Sequence, residues 1–200
     1  GLADSFTPLL NDGAGSGIIL NYFNHGEVGG LIDEPAVYNR ALSAEEIKSH
    51  FEAGSDGICG LVSANEPSGP QASDLTDGLV AYYQFDGNAN DSSSNSLDGV
   101  VSGGALTTDR FGRKDSAYYF DGIDDIITVV DDSGVLNFGV SDFSLTAWVQ
   151  TESKESHRYV VAKYKQNEFF GYGLGVTFQV PFAFIADTDS ELAFIQPIAS

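Results

Sequence analysis

An acidic, asparagine-rich segment follows one of the clearest strand patterns in the chain and offers the ligands of a cation site. Asp86, Asn88, Asn90 and Asp91 place side-chain oxygens at near-alternate positions, as a calcium-binding loop requires. The segment is not an EF-hand, because Asp91 stands where that loop needs glycine and Leu97 where it needs glutamate. Asx turns give the same pattern without a metal, since Asn and Asp side chains cap their own backbone. These residues alone leave both interpretations open.

Catalytic chemistry finds little support in the sequence. Glycoside hydrolysis needs two facing carboxylates, and the strand pattern Glu-x-Asp-x-x-Glu associated with it does not occur. Asp33 and Glu34 are adjacent, so a regular strand would point them to opposite faces of its sheet. His25, His50 and His157 have no serine or cysteine motif beside them. We therefore predict that this segment is not an enzyme.

Two further groups of titratable residues have simple structural interpretations. His50 lies beside Phe51 without a second metal ligand one helical turn away, which favours packing over metal binding. Asp121, Asp124 and Asp125 follow a strand pattern and are interpreted mainly as a solvated turn.

Composition and charge restrict the class of protein. The 200 residues carry 29 acidic and 9 basic side chains, a net charge of -20, which would repel the phosphate backbone of nucleic acid. No stretch approaches the roughly 20 apolar residues of a membrane span, so we expect no membrane insertion. Cys59 is the single cysteine, which excludes an internal disulfide and a cysteine-based zinc site. We interpret the chain, which begins without methionine, as part of a longer protein.

Alternation of apolar and polar residues predicts that the second half of the chain is all-β. In residues 79–85, Leu79, Ala81, Tyr83 and Phe85 alternate with Val80, Tyr82 and Gln84. Further strands are expected at 116–120, 126–130, 143–149, 159–164 and 172–180. Turns rich in Gly, Asn and Asp separate them without an intervening helical pattern, which predicts an antiparallel two-sheet sandwich. Trp148 lies within a regular strand and is expected in the core.

One short helix is predicted near residues 43–53. Ser43 is a good N-cap, and Glu46 three residues later completes a capping box. The residues that then recur on one helical face are Ile47, His50 and Phe51. Because so short a helix needs tertiary packing, we expect this face to dock against the sandwich.

The chain before residue 77 contains a strand and a linker. Residues 30–38 form its best strand pattern, and Pro35 within it indicates a sheet edge or a bulge. Residues 58–76 are poor in large apolar side chains and rich in Pro, Gly, Ser and Asn, which is typical of an interdomain linker.

Several sequence blocks resemble the laminin G-like, or concanavalin A-like, family of bacterial proteins. The blocks similar to the opening of such a domain are 77–93, 97–99, 108–112, 117–125 and 143–149. Residues 30–34 and 38–47 resemble its closing signature. The resemblance implies a jelly-roll sandwich.

The order of these blocks indicates tandem repeats, because the closing signature precedes the opening one. Residues 1–57 then form the C-terminal part of one laminin G-like repeat and residues 77–200 the N-terminal part of the next. The strand pair that the resemblance implies between these parts is absent from both.

The resemblance implies a structural calcium ion at one end of the sandwich. Its ligands would come from the loop after the first strand and from the acidic pair entering the last long strand. In this chain those residues are Asp86, Asn88, Asn90, Asp91, Asp33 and Glu34. The two sets belong to different repeats, so a complete site within this chain requires them to meet.

The resemblance implies a non-catalytic binding module of a large secreted or cell-surface protein. Polysaccharide or glycoprotein glycans are the expected partners, together with neighbouring repeats of the same protein. The alternatives are an adhesion or spacer repeat without sugar binding, and an accessory domain of a glycoside hydrolase.

The unpaired strand edges of two incomplete parts predict that the parts combine. We expect residues 1–54 to fold back onto residues 77–200 and form one circularly permuted sandwich. The strand with Ile32 would then lie beside residues 79–85, bringing Asp33 and Glu34 near the Asp86 loop.

Overall fold

A computed structural model describes most of the chain. The described residues are 17–22, 29–52, 75–151, 158–165, 170–186 and 192–195. The first strands and the helix are β1 (Ile19–Tyr22), β2 (Gly30–Tyr38), α1 (Ala44–Glu52), β3 (Leu79–Tyr82), β4 (Gly99–Ser102), β5 (Ala105–Thr107) and β6 (Ala117–Phe120). The remaining strands are β7 (Ile126–Val129), β8 (Ser144–Thr151), β9 (Arg158–Lys165), β10 (Phe170–Thr177), β11 (Val180–Ala186) and β12 (Leu192–Ile195).

The strands form two antiparallel sheets. The larger sheet has seven strands in the order β12-β11-β10-β9-β1-β7-β4. In the smaller sheet β8 pairs with one side of β2, while β6 and β3 pair end to end with its other side and β5 follows β6. Within the described residues, the predicted all-β, antiparallel two-sheet architecture with one short helix is confirmed.

The first part of the chain supplies interior strands to both sheets. β2 pairs with β3 through Val37 and Ala81 and with β6 through Ile32 and Tyr118. β1 lies between β7 and β9. The prediction that the first part folds back onto the second, with the Ile32 strand beside β3, is therefore confirmed.

The core between the sheets is built from both parts of the chain. Its largest fully buried side chains include Ile18, Leu20, Ile32, Tyr83 and Phe120. Burying one such side chain stabilises the fold by roughly 1.5–3 kcal/mol, so docking of the first part contributes substantially to the core.

The predicted linker lies mostly outside the described residues, as does Cys59. Its end is described, and there Leu75 is buried in a second cluster with Ala36, Tyr38 and Tyr82. Residue 75 therefore already packs against β2 and β3.

Residues 172–180, predicted as one strand, form parts of two. β10 and β11 are joined by a two-residue turn in which Phe178 and Gln179 have φ values of 49° and 67°. Such a turn usually contains Asn or Gly, and the absence of both hid it from the sequence pattern.

Pro35 lies at a bulge within a central strand. The register of β2 against β8 shifts between Asp33 and Ala36, and Glu34 has a φ of 49°. The bulge that Pro35 indicated is present, whereas the alternative of a sheet edge is wrong because β2 has partners on both sides.

The helix begins with the predicted capping box. The backbone N–H of Glu46 donates to Ser43 Oγ at 3.2 Å, and the N–H of Ser43 donates to Glu46 Oε2 at 2.8 Å. These two bonds satisfy backbone donors that the first helical turn would otherwise leave unpaired.

The buried face of α1 differs from the predicted one. Glu46 and His50 are buried, whereas Ile47 is 55% and Phe51 68% exposed. Arg40 binds both oxygens of Glu46, and His50 Nε2 lies 3.1 Å from Thr146 Oγ1 on β8. Those polar contacts orient the helix. Of the face that was expected to dock, His50 is packed against β8 and Phe51 contacts Trp148 while staying largely exposed, whereas Ile47 faces the solvent.

Candidate functional site

The loop predicted to bind calcium is organised by its own carboxylate. Asp91 accepts hydrogen bonds from the backbone N–H groups of Tyr82, Ser93 and Leu97, at 2.8–2.9 Å. It thereby ties the loop to the end of β3. The Asp91 carboxylate forms an Asx turn with Ser93 and also accepts hydrogen bonds from the more distant backbone N–H groups of Tyr82 and Leu97.

The remaining residues of that loop lie nearer the solvent. Asn88 Oδ1 accepts a hydrogen bond from the Asn90 N–H at 2.8 Å, which is again an Asx turn. Asp86, Asn88 and Asn90 are exposed. Their oxygens project from a surface turn.

The second predicted set, Asp33 and Glu34, binds an arginine. Arg110 Nη1 donates to Asp33 Oδ2 at 2.8 Å, and Arg110 Nη2 donates to Glu34 Oε2 at 2.9 Å. The expectation that these carboxylates point to opposite faces is wrong. The bulge and the positive φ of Glu34 turn both toward Arg110, which a regular strand would not allow.

The predicted ligand sets do not assemble into one compact acidic group. Among the described residues, the group of three or more metal-capable side chains with oxygens within 4.8 Å of one another is Asp121, Asp124 and Asp125. A cation between Asp33 and Glu34 would have to compete with the Arg110 guanidinium. Calcium binding by the predicted residues stays a prediction.

Burial governs the electrostatics of the Asp33–Glu34 pair. Removal from water, with repulsion from Glu34, raises the pKa of Asp33 to about 7 even though Arg110 opposes the shift. Burial likewise raises the pKa of Glu34 against the hydrogen bond from Arg110. Two buried carboxylates thus share one guanidinium, and Asp33 titrates near neutral pH.

Two aromatic rings contact Arg110 in addition to the carboxylates of Asp33 and Glu34. Its guanidinium carbon lies 4.2 Å from the ring centroid of Trp148 and 4.4 Å from that of Phe111. The Phe51 ring of α1 lies 5.2 Å from the Trp148 ring. Trp148 therefore connects the helix to the loop between β5 and β6.

The expectation that Trp148 is a core residue is wrong. It pairs in register with Asp33, lies on the outer face of the smaller sheet and is half-buried. Its strand neighbours Ala147 and Val149 face the core instead. The alternation in β8 had placed Trp148 on the same face as Ser144, Thr146 and Gln150, and this polar face is the outer one.

A small cavity opens beside Trp148 and Arg110. Its volume is about 80 Å3, and Asp33, Asp109 and Gln150 contribute to its polar lining. Asp33 Oδ1 is buried and has no hydrogen-bond partner. A buried acceptor without a donor is costly, so this atom is suited to receive a hydrogen bond from a bound group.

Arg110 was not singled out by the sequence reasoning. It lies in the block 108–112 that supported the family resemblance, but its partners Asp33 and Glu34 are far away in the sequence. The sequence feature that could have indicated this site is the pair Arg110 and Phe111, an arginine directly followed by an aromatic residue.

No family model, curated protein or solved structure matches the chain, and its site is described by its own geometry. Within the described residues, no helix has the length and apolar character needed to span a membrane.

Proposed function

We propose that this chain is a non-catalytic glycan-binding module, a β-sandwich of the laminin G-like jelly-roll type. Its binding site lies on the outer face of the smaller sheet, around Trp148. The observation that supports this most directly is a cavity lined by Trp148 and by Asp33, whose buried Oδ1 has no hydrogen-bond partner.

The chemistry of this cavity suits a sugar. Aromatic rings present flat apolar surface to the C–H face of a pyranose, and a few fixed polar groups orient its hydroxyls. Trp148 contacts both Arg110 and Phe51, so its ring is positioned before a ligand arrives. In this proposal Asp33 Oδ1 accepts a hydrogen bond from one sugar hydroxyl, and the Gln150 side chain offers a second hydrogen bond.

Charge limits the class of glycan that this site is expected to bind. Arg110 is already neutralised by Asp33 and Glu34, and the chain carries a net charge of -20. Uronate-rich or sulfated polymers would be repelled. Neutral polysaccharides are the partners that this site favours.

A binding role fits the state of the buried carboxylates better than a catalytic one. Asp33 and Glu34 are bound to the same guanidinium on the same side of the sheet. A glycosidase needs its two carboxyl groups on either side of a scissile bond.

Secretion or cell-surface location and a structural calcium ion complete the proposal. The closely spaced Asp121, Asp124 and Asp125 are the described carboxylates best placed to share a hard cation. The module would then bring neighbouring repeats or a partner enzyme to the polysaccharide.

A glycan array followed by calorimetry on Trp148→Ala tests the proposal. We expect binding of a neutral glycan that Trp148→Ala abolishes, because the variant removes the stacking surface. Phe178→Ala is the matched control, since Phe178 is 65% exposed in the turn between β10 and β11 of the other sheet. Equal loss in both variants would contradict the site, and a silent array would favour the adhesion or spacer alternative.

A further inference from the structure

The two sheets differ in width, and the difference is concentrated beyond β8. The larger sheet is seven strands wide, whereas the smaller is four wide because β3 and β6 share one side of β2. β8 packs against β9 and β10 of the larger sheet. β11 and β12 continue past it, an overhang of two strands, or about 10 Å.

The inner face of β11 is apolar. Within the larger sheet, Val176 pairs with Pro181 and Tyr172 with Ile185, so these residues share one face. Tyr172 and Val176 belong to the core, whereas Pro181 and Ile185 are exposed, Ile185 by 45%. The core surface thus runs on beyond the strands of the smaller sheet that cover it.

A cleft follows the boundary of that covered region. It encloses about 380 Å3 between β8 and the strands β9 to β11. Its apolar lining includes Ala147, Val149, Val160, Leu174, Val176 and Pro181. The cleft is therefore a part of the space between the two sheets that the described strands do not fill.

β8 borders this cleft as an edge strand. Of the described strands, it pairs with β2 alone. Its eight residues, Ser144 to Thr151, include no charged residue and no proline. Proteins usually protect long edge strands with such residues, and the other strands at or near the borders of the two sheets have only three or four residues.

We propose that β8 and its cleft accept a β-hairpin of a partner protein. The backbone N–H and C=O groups along the outer side of β8 can pair with the backbone of an added strand. A glycan or a lipid does not offer donors and acceptors at the spacing of a β-strand. The overhang has room for two strands. Inward-facing side chains of the added segment would fill the cleft, so the segment carries apolar residues at alternate positions.

A second copy of this chain does not fit the site. If β8 paired with β8 of another molecule across a two-fold axis, the overhanging β11 and β12 of each copy would need the same space. The net charge of -20 also opposes self-association and favours a segment with basic flanks. Trp148 and Val149 of β8 line both this cleft and the cavity of the proposed glycan site, but the inference rests on the free edge and the cleft of β8 and not on glycan binding.

A displayed library of β-hairpin peptides tests the proposal. The hairpins carry Val, Ile or Thr at alternate positions and Lys at both ends, and they are selected against the full chain. We expect binders whose affinity falls by about tenfold or more in Ala147→Lys, because the new charge points into the cleft. Gln150→Lys is the matched control, since it adds the same charge to the same strand on its exposed outer face.

Amide hydrogen exchange on the wild-type complex gives a second, independent measurement, also if Ala147→Lys does not fold. Binding should slow exchange at alternate β8 amides, those that face away from β2. No selected hairpin, equal binding to both lysine variants, or protection outside β8 would each overturn the proposal. A dimer formed through β8 would overturn the choice of occupant.

Discussion

Replacing Arg110 with Met should destabilise the protein strongly, because it leaves two buried carboxylates without a cation. The side chains of Asp33 and Glu34 are 6% and 3% exposed, and that of Arg110 is 21% exposed. Breaking a buried ion pair by removing one partner typically costs about 3–5 kcal/mol. Lost stacking on Trp148 and Phe111 adds roughly 0.5–1 kcal/mol for each ring.

Protonation limits this cost. Because burial already raises the pKa of Asp33 to about 7, that carboxyl can take up a proton in the variant with little penalty at neutral pH. Glu34 then accounts for most of the loss. We expect a decrease of about 3–4 kcal/mol in the free energy of unfolding at pH 7.

Urea denaturation measures this change, with Trp148 as the single tryptophan reporter and far-UV circular dichroism in parallel. The triple variant Asp33→Asn, Glu34→Gln, Arg110→Met should recover much of the lost stability, since no charge remains buried. Lys48→Met is the control. It removes an exposed pair with Glu52 at 3.8 Å and should cost under about 0.5 kcal/mol.

Two results would refute the reasoning. A loss below about 1 kcal/mol in Arg110→Met would mean that the pair is effectively solvated. Failure of the triple variant to recover stability would mean that Arg110 acts through packing rather than through charge.

Three further predictions concern the cap, the titration of Asp33 and calcium. Ser43→Ala should lower the free energy of unfolding by about 1 kcal/mol, because it removes the N-cap acceptor of the Glu46 N–H; an unchanged melting temperature would contradict this. The raised pKa of Asp33 favours folding below pH 3.8, and this contribution is lost as the pH rises to about 7. The stability of Asp33→Asn relative to wild type should therefore increase across that window, by at most about 1.4 kcal/mol per pH unit, and a decrease would show the opposite shift. Calcium should raise the melting temperature with the logarithm of its concentration, and magnesium should do less. Loss of the effect in Asp124→Asn would place the ion at the acidic turn, loss in Asp86→Asn would place it at the loop after β3, and an equal effect of magnesium would count against a specific site.

Features set by local interactions were accessible from the sequence. The Ser43–Glu46 capping box involves residues three positions apart, so its bonds follow from the residue types. The pairing of β2 with β3 is a long-range contact, and it was predicted from the family resemblance, whose blocks occur in reversed order, and from the instability of unpaired sheet edges.

Features set by the third dimension were not accessible. Asp33 and Glu34 share a side because a bulge interrupts the strand, and Pro35 indicated a bulge without giving its direction. The orientation of α1 depends on Arg40 and His50, whose polar contacts outweigh the apolar pattern of the helix.

The interior position of β1 and β2 has a consequence for how the chain folds. During synthesis Ile19 emerges long before its partners Thr128 and Ala162, so the earliest strands must wait for the latest ones. Pairings between residues so distant in sequence require large loops to close before any contact offsets the lost entropy, which slows folding. Until β7 and β9 are complete, β1 lacks both of its partner strands, and Ile18 and Leu20 are available to chaperones or to other nascent chains. The same arrangement that closes the finished sandwich makes its assembly depend on nearly the whole chain.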